Sequence, residues 1–287
     1  MGPGFTPMAF ASQSAAVEDP NILDRTELWL PLLRRLTETS PLWAVWKNVD
    51  SALTRGGDID SIAPLEAWPL IELEFKRWSK LFGLGPVIVC PHVPYLLHLI
   101  SLHPTDRKVF ELDVNRRKIF LGSTLFRPQD LHEMLQMDER GFRRLRPGAE
   151  GVLKLVQNGM RRGGKPDWNG IRQKKIAELM RGDPVGVRQA AKLFHRGEGA
   201  ILEGVEHVLQ NEWSRHAMRS VELNSVARSL AEPWNLAKRA WFRVVRKRCP
   251  VLQLVFSDRK VPQDRERWLA VVERSHRIYR TGPPEIN

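Results

Sequence analysis

The chain contains 287 residues, of which 42% are hydrophobic and 27% are charged. This length can bury a core without disulfide or metal staples, and this composition excludes a wholly disordered chain or a coiled coil. The two cysteines, Cys90 and Cys249, cannot form a disulfide framework, so a reducing, cytoplasmic setting is expected. No apolar run approaches the roughly 18 residues of a spanning helix, so no membrane association is expected.

Charge divides the chain into two unlike halves. Residues 1–138 hold 14 Lys and Arg against 17 Asp and Glu, a net charge of −3, whereas residues 139–287 reach +15. A basic half of this kind favours a polyanionic partner such as RNA or a nucleotide. Contact with an acidic partner protein, or a contribution to solubility alone, is the alternative interpretation.

The hydrophobic pattern predicts an α+β fold. Residues 1–20 are interpreted as a flexible leader, and residues 21–130 alternate between helical and strand patterns. In that part we predict helices over 21–40 and 65–82, and strands over 43–49, 58–62, 87–90, 95–102 and 108–114. The strand pattern fades after about residue 128. Later helices are predicted over 148–160, 171–180, 185–194, 200–209 and 233–248, with a last one opening at Pro262. The result is a small mixed β-sheet domain over 21–130, followed by a basic all-helical domain over 131–287.

The sharpest motif is Gly56-Gly57-Asp58-Ile59-Asp60, at the start of the second predicted strand. Side chains two apart on a strand point to one face, so Asp58 and Asp60 are expected side by side. Two adjacent carboxylates repel unless a cation neutralises them, which favours Mg²⁺. Asp113, between two apolar residues on a later strand, supplies a third carboxylate. Three such groups can hold two divalent ions about 4 Å apart, with Mn²⁺ able to replace Mg²⁺.

Two further groups near these aspartates have open interpretations. Glu111 shares a strand face with Asp113 and is a fourth ligand, a partner of a ligand, or simply exposed. Cys90, His92, His98 and His103 lack the spacing of a standard zinc site and are interpreted as structural.

The order of these acidic residues resembles the nucleotidyltransferase superfamily of the DNA polymerase β type. That family has a strand and a small loop, then Asp-x-Asp on a second strand and one acidic residue on a later strand. Asp58 and Asp60 match the pair and Asp113 matches the third position, over a region of about 25–130. The chain also resembles minimal nucleotidyltransferases of toxin–antitoxin systems and nucleotidyltransferase-like domains of bacterial surface-polymer pathways. The resemblance implies that the three aspartates bind metal and catalyse NMP transfer from an NTP to an acceptor hydroxyl.

The loop after the first strand departs from the family's pattern. The family usually has Gly-Ser or Gly-Gly there to cradle the triphosphate. Here Lys47 and Asn48 hold that place, nine residues before Asp58. Lys47 can act as a point charge on a phosphate or be a solvated lysine at a strand end, and the triphosphate site can equally be degraded. Lys47, Asn48 and Gly57 are the predicted nucleotide-binding residues in this domain.

Basic clusters in the second half are candidates for phosphate contacts. The resemblance implies a helical part that completes the nucleotide cleft, for which we choose Arg161, Arg162 and Lys165. The residues predicted to bind nucleic acid are Arg143, Arg144, Arg146, Arg246, Lys247 and Arg248. RNA, in particular a tRNA 3′ end, is the expected acceptor. A small-molecule or protein acceptor, and an inactive module that binds nucleic acid or a partner, stay open.

Overall fold

The computed structural model describes residues 24–54, 56–85, 87–90, 95–103, 109–161, 165–166 and 170–248. Within 158–171, and at positions 239, 242–243 and 245–248, it describes the backbone alone. The predicted leader over 1–20 and the helix predicted from Pro262 lie outside the described residues.

Helices and strands alternate through the first half of the described chain, and helices dominate the second. The helices are α1 (Arg25–Thr39), α2 (Val49–Thr54), α3 (Trp68–Leu81), α4 (Pro147–Gly159), α5 (Gly170–Gly182), α6 (Pro184–Ala191), α7 (Glu198–Leu209), α8 (Arg215–Ser229) and α9 (Pro233–Arg248). The strands are β1 (Ala44–Lys47), β2 (Asp58–Ile62), β3 (Ile88–Cys90), β4 (Leu96–Leu102), β5 (Val109–Asn115), β6 (Lys118–Phe120), β7 (Ser123–Phe126), β8 (Leu135–Met137), β9 (Arg143–Leu145), β10 (Met160–Arg161) and β11 (Lys165–Pro166).

The central sheet is mixed, as predicted. Its seven strands run in the order β3-β4-β5-β2-β1-β9-β8. Strand β2 is parallel to β5 and β1 is parallel to β9, whereas the other neighbours are antiparallel. The described chain is therefore α+β, which confirms the coarse fold prediction.

The expectation that strands end near residue 128 is wrong, because β8 and β9 extend this sheet beyond that point. Strand β9 contains Arg143 and Arg144, whose charged side chains find acceptors inside the protein. The buried side chains of this strand include arginines that hydrogen-bond to other parts of the protein. The strand therefore lacks the alternation of apolar and polar residues from which a strand is predicted.

Helix α1 begins at Arg25, inside the range predicted to be helical, and continues past its proline. Asp24 and Glu27 form a capping box at its start. Pro31 lies inside the helix on an exposed position and does not end it. On that side water can hydrogen-bond the carbonyl that loses its helical donor, so the cost of the proline is reduced.

Helix α8 has no counterpart among the predicted helices. Its buried face carries Ala217, Met218, Val221, Ser225 and Ser229, so two of the five buried positions are serine. A helix is predicted from hydrophobic residues that recur on one face, and buried serines do not contribute to that pattern. The backbone is nevertheless continuously helical.

One face of the sheet packs against α1 and α3. Trp29 of α1 stacks on Trp78 of α3 with ring centroids 5.0 Å apart, and the ring of Phe110 from β5 meets both. Ile59 and Leu112 belong to the same buried cluster. Because side chains alternate along a strand, the polar residues between these apolar ones point to the opposite face of the sheet.

Arg25 ties α1 to the segment in front of β2. Its buried guanidinium donates from Nε to the carbonyl of Ala52 at 2.6 Å, from Nη1 to Val109 at 2.9 Å and from Nη2 to Gly57 at 2.9 Å. The Gly57 carbonyl immediately precedes Asp58, so this arginine fixes the backbone from which the acidic motif starts.

A second hydrophobic core lies between the sheet and the later helices. Trp46 of β1 packs edge-on against Phe126 of β7 with ring centroids 5.5 Å apart. Val152 and Val156 of α4 belong to the same buried cluster, together with residues of α5 to α8. The helical half is thus packed onto the part of the sheet formed by β2, β1 and β9.

Candidate metal and nucleotide site

Two parallel strands bring the three predicted aspartates together. In the register of β2 and β5, Asp58 lies opposite Glu111 and Asp60 lies opposite Asp113. One carboxylate oxygen from each of Asp58, Asp60 and Asp113 lies within 4.8 Å of the other two. Neighbouring residues in register share a face, so the pairing of β2 with β5 converts the Asp-x-Asp spacing into a compact cluster.

A histidine stands against the third aspartate. His98 of β4 lies opposite Asp113 in the antiparallel pairing of β4 and β5. Its Nδ1 lies 3.2 Å from Oδ1 of Asp113, and its Nε2 lies 3.8 Å from Oε2 of Glu111. The interpretation of His98 as structural misses this position. Its spacing to Asp113 along the chain gives no signal, because only the strand pairing brings the two together.

Two lysines face the same carboxylates. Nζ of Lys47 lies 3.0 Å from Oδ2 of Asp60, and that oxygen also accepts from Nδ2 of Asn48 at 3.4 Å. Lys118, at the start of β6, has Nζ 5.1 Å from the ring centroid of Trp46, which also faces Nζ of Lys47 at 4.8 Å. Lys47 is predicted from its place after β1, whereas Lys118 is not among the predicted residues.

The pKa values in this cluster reflect burial and a surplus of negative charge. Burial, reinforced by the charges of Asp60, Asp58 and Glu111, raises the pKa of Asp113 to about 7. Burial also raises the pKa of Asp60, although the charge of Lys47 opposes this change. Burial lowers the pKa of Lys118. A buried carboxylate cluster of this kind is stabilised by an added cation.

The donor set fits a hard divalent cation. Oδ1 of Asp113 is buried and makes no hydrogen bond of good geometry, despite the nearby His98 nitrogen. Carboxylate oxygens are the ligands that Mg²⁺ and Mn²⁺ prefer. Among the residues that the structure describes, these three aspartates therefore form a group that could hold a metal ion.

The turn after β1 is held by α4 instead of glycines. Asn48 has φ of 64°, in the left-handed region that asparagine tolerates. Its backbone N–H donates to Oε1 of Glu150 at 3.0 Å, and Glu150 is buried. This amide is thus used within the protein, in place of the glycine-rich phosphate cradle of the resembling family. The nucleotide-binding role of Asn48 stays a prediction.

A cavity of about 470 Å³ opens beside Asp58. Asn48, Gly57 and Asp58 line one side of it. Three cations from the helical half line the other side: Lys154 of α4, with Arg172 and Lys175 of α5. None of the three is predicted from the sequence. The prediction selects instead the basic residues between α4 and α5, namely Arg161, Arg162 and Lys165. Arg172 and Lys175 are three residues apart on one helix and therefore lie on the same side of it. This spacing is the feature of the sequence that could have predicted them.

The predicted phosphate contacts in the loop after α4 are described only in part. Arg161 and Lys165 lie opposite each other in the ladder of β10 and β11, whose backbone alone is described. Arg162 lies outside the described residues. Arg246, Lys247 and Arg248 form the last turn of α9, again with the backbone alone. Their roles stay predictions.

Three arginines predicted to bind nucleic acid contact acceptors within the protein. Arg143 donates from Nη1 to the carbonyl oxygens of Ser40 and Trp43, each at 3.0 Å. Arg144 is nearly buried among three carboxylates: Asp50 at 3.2 Å, Asp138 at 3.1 Å and Glu150 at 3.0 Å. Arg146 reaches Asp183 at 2.6 Å. These contacts give all three a structural role, and nucleic-acid binding by them stays a prediction.

Comparisons with protein-family models, curated proteins and solved structures give no match, so the site is interpreted from its own geometry. None of the helices within the described ranges combines the length and the apolar character that crossing a membrane requires.

In the metal-free protein, we expect Asp113→Asn to raise the free energy of unfolding at pH 8 and to change it much less at pH 5. The raised pKa means that the native state keeps a proton that the unfolded chain, with a pKa of about 4, has lost. Wild-type stability therefore falls as the pH rises from about 4 through about 7. Each tenfold decrease in the acid dissociation constant of Asp113 on folding corresponds to about 1.4 kcal/mol. Asp113→Asn should therefore raise the free energy of unfolding at pH 8 by about 2–4 kcal/mol.

Urea denaturation in EDTA at the two pH values measures this effect. Asp130→Asn is the matched control, since Asp130 is exposed and accepts a hydrogen bond from the Arg127 amide. An Asp113→Asn effect of equal size at both pH values would contradict the assigned pKa.

Proposed function

We propose that the protein is a divalent-metal-dependent nucleotidyltransferase, which moves an NMP from an NTP to an acceptor hydroxyl. The observation that carries the proposal is the convergence of Asp58, Asp60 and Asp113 on two parallel strands, with oxygens within 4.8 Å of one another. The order of a first strand, an Asp-x-Asp strand and a later acidic strand supports the same assignment, because the superfamily that the chain resembles has this order.

The three aspartates would hold Mg²⁺ or Mn²⁺, as one ion or as the pair that the superfamily uses. The metal, when bound, supplies Lewis-acid activation of the attacking oxygen and neutralises charge on the leaving pyrophosphate. In the reaction the acceptor oxygen bonds to the α-phosphorus, and the bond from that phosphorus to the β-phosphate bridging oxygen breaks. The proton of the hydroxyl passes to a base, for which His98 and Asp113 are the neighbouring candidates.

Cations of this chain can hold the triphosphate. Lys154, Arg172 and Lys175 line the cavity that also reaches Asp58. Lys47 can exchange its contact with Asp60 for a phosphate oxygen once a metal neutralises the aspartate. The basic second half supports RNA, including a tRNA 3′ end, as the acceptor, while a small-molecule or protein acceptor would use the same chemistry.

Pyrophosphate release tests the proposal. The protein is incubated with each of the four NTPs and Mg²⁺ or Mn²⁺, with and without total RNA, beside an Asp58→Ala/Asp60→Ala variant. We expect release with at least one NTP that requires both the metal and the aspartates. Release that is unchanged in the variant, or that persists in EDTA, would contradict the proposal.

The ion pair of Lys47 with Asp60 favours a second candidate, an inactive module that binds nucleotide or nucleic acid. A lysine 3.0 Å from a metal-site carboxylate already neutralises part of the charge that a cation would balance. Nucleotide binding without pyrophosphate release in the presence of RNA and metal would favour this candidate. Growth arrest on expression, abolished by Asp60→Ala, would instead favour an active toxin-type enzyme.

A further inference from the structure

A basic and aromatic surface lies at the end of β5, beyond the aspartates. The ring of Tyr95 is approached by three cations: Arg116 at 4.9 Å, Arg117 at 4.3 Å and Lys238 at 5.5 Å from its centroid. Lys238 also lies 5.7 Å from the ring centroid of Trp234. Such clustering of cations on rings keeps positive charge and aromatic faces at one place on the surface.

Helix α9 extends this surface with exposed tryptophans. Trp234 is 69% exposed and Trp241 is 70% exposed. They lie seven residues apart with Lys238 between them, so all three fall on one side of the helix. Residues 233–248 contain six Lys and Arg and no Asp or Glu. We call Tyr95, Arg116, Arg117, Trp234, Lys238 and Trp241 the Tyr95–Trp241 surface.

A hydrogen bond between Tyr95 and Asn235 holds α9 against the start of β4 within this surface. Oη of Tyr95 donates to Oδ1 of Asn235 at 3.0 Å, and Asn235 is buried. Glu232 faces the cluster, but its carboxylate already accepts hydrogen bonds from Thr124 and Asn235. Its charge still acts on Arg117, but one carboxylate against Arg116, Arg117 and Lys238 leaves the surface positive.

The surface adjoins the aspartate cluster along the sheet. Arg116 follows Asp113 by three residues, a distance of about 10 Å at the rise of a strand. The Arg116 amide donates to the Tyr95 carbonyl at 2.9 Å, which places the start of β4 beside the end of β5. A strand of nucleic acid on this surface would have its end within reach of the aspartates.

We infer that the Tyr95–Trp241 surface binds single-stranded nucleic acid, with bases on Trp234 and Trp241 and phosphates on Arg116, Arg117 and Lys238. The inference deepens the proposed function. It rests on that function only for the role of the bound strand as the acceptor in nucleotidyl transfer. Exposed tryptophans serve as stacking platforms for bases without regard to sequence, and arginines pair with phosphate oxygens. An acidic protein partner would match the charge but would leave two exposed indole rings without a complementary group.

Binding of a fluorescein-labelled single-stranded 12-mer of RNA, in EDTA, tests the inference without any catalysis. We expect Trp234→Ala/Trp241→Ala to weaken binding by about thirtyfold or more, because each of the two rings stacks a base. Leu223→Ala/Leu230→Ala is the matched control, because both leucines are exposed on or just beyond α8. It should change the affinity less than twofold.

The charge contribution is measured with Arg116→Gln/Arg117→Gln, against Arg188→Gln/Arg196→Gln as a control of equal charge. The first pair of substitutions should make the slope of log affinity against log salt less negative by about 1 to 1.5. The control pair should leave that slope unchanged. Heparin binding should be insensitive to the tryptophan variants, because heparin offers charge without bases.

Three results would overturn the inference. One is RNA affinity that falls equally in the tryptophan variant and its leucine control. Another is equal binding of the 12-mer and a duplex, with no effect of the tryptophans. The third is tighter binding of a poly-glutamate peptide than of the 12-mer, which would assign the surface to an acidic protein. RNA binding in EDTA, together with no pyrophosphate release once Mg²⁺ or Mn²⁺ and an NTP are supplied, would remove the proposed function and keep this inference.

Discussion

Asp60→Asn is expected to lower pyrophosphate release by about three orders of magnitude. The substitution removes one of three carboxylates that could hold the metal, and metal ions supply several kcal/mol of charge stabilisation in such reactions. The loss should be in kcat more than in KM, because the cations lining the cavity stay in place.

Loss of folding cannot explain that expected result. Burial raises the pKa of Asp60, and the amide oxygen of asparagine can still accept a hydrogen bond from Lys47, so we expect a small change in stability. The melting temperature should therefore stay within a few degrees of wild type. Asp130→Asn, at an exposed position of the 3-10 helix Gln129–Met134, is the control with the same chemical change and should keep full activity. Activity of Asp60→Asn within tenfold of wild type would contradict a catalytic role for this residue.

Arg144→Met is expected to lower the free energy of unfolding by about 3–5 kcal/mol. Arg144 lies among Asp50, Asp138 and Glu150, and both Asp138 and Glu150 have nearly buried side chains. Without the guanidinium, these carboxylates lose a partner that no water can replace fully. Burial alone would raise the pKa of Asp138, but hydrogen bonds from Arg140 and Arg144 hold it well below its usual range.

Chemical denaturation at pH 7 measures the effect of Arg144→Met. Lys76→Met is the matched control, since Lys76 forms a surface pair with Glu72 on α3 and should cost less than about 1 kcal/mol. Because Asp138 has a depressed pKa, its contribution is present above the unfolded pKa of about 4 and is lost as the pH falls further. A variant of wild-type stability that fails to bind RNA would instead assign Arg144 to nucleic-acid contact.

The strands and helices of the first half are predictable because their apolar residues recur at strand or helix spacing. Strand β2 has the predicted limits of 58 and 62, and it places Ile59 in the core. Strand β9 is not predictable in this way, because the pattern around Arg143 and Arg144 is typical of a solvated segment. Their acceptors come from distant parts of the chain, such as Trp43 and Glu150, which no local pattern encodes.

The same limit applies to the candidate site. The spacing of Asp58 and Asp60 is local and is visible in the sequence, and Asp113 is found from its apolar neighbours. His98 and Lys118 belong to the same cluster only because β4 pairs with β5 and because β6 turns back toward β1. Pairing across strands is long-range information, so a single sequence predicts the carboxylates of this site better than the groups that surround them.

Titration of Mn²⁺, followed by the electron paramagnetic resonance signal of the free ion, tests the central claim most directly. The wild-type protein should bind Mn²⁺ at one or two sites, more tightly at pH 8 than at pH 6, because Asp113 must lose its proton. Asp58→Asn/Asp60→Asn should abolish that binding, and Asp130→Asn should leave it intact. Wild-type protein that leaves all the Mn²⁺ free, with and without an NTP, would contradict a metal site at these aspartates.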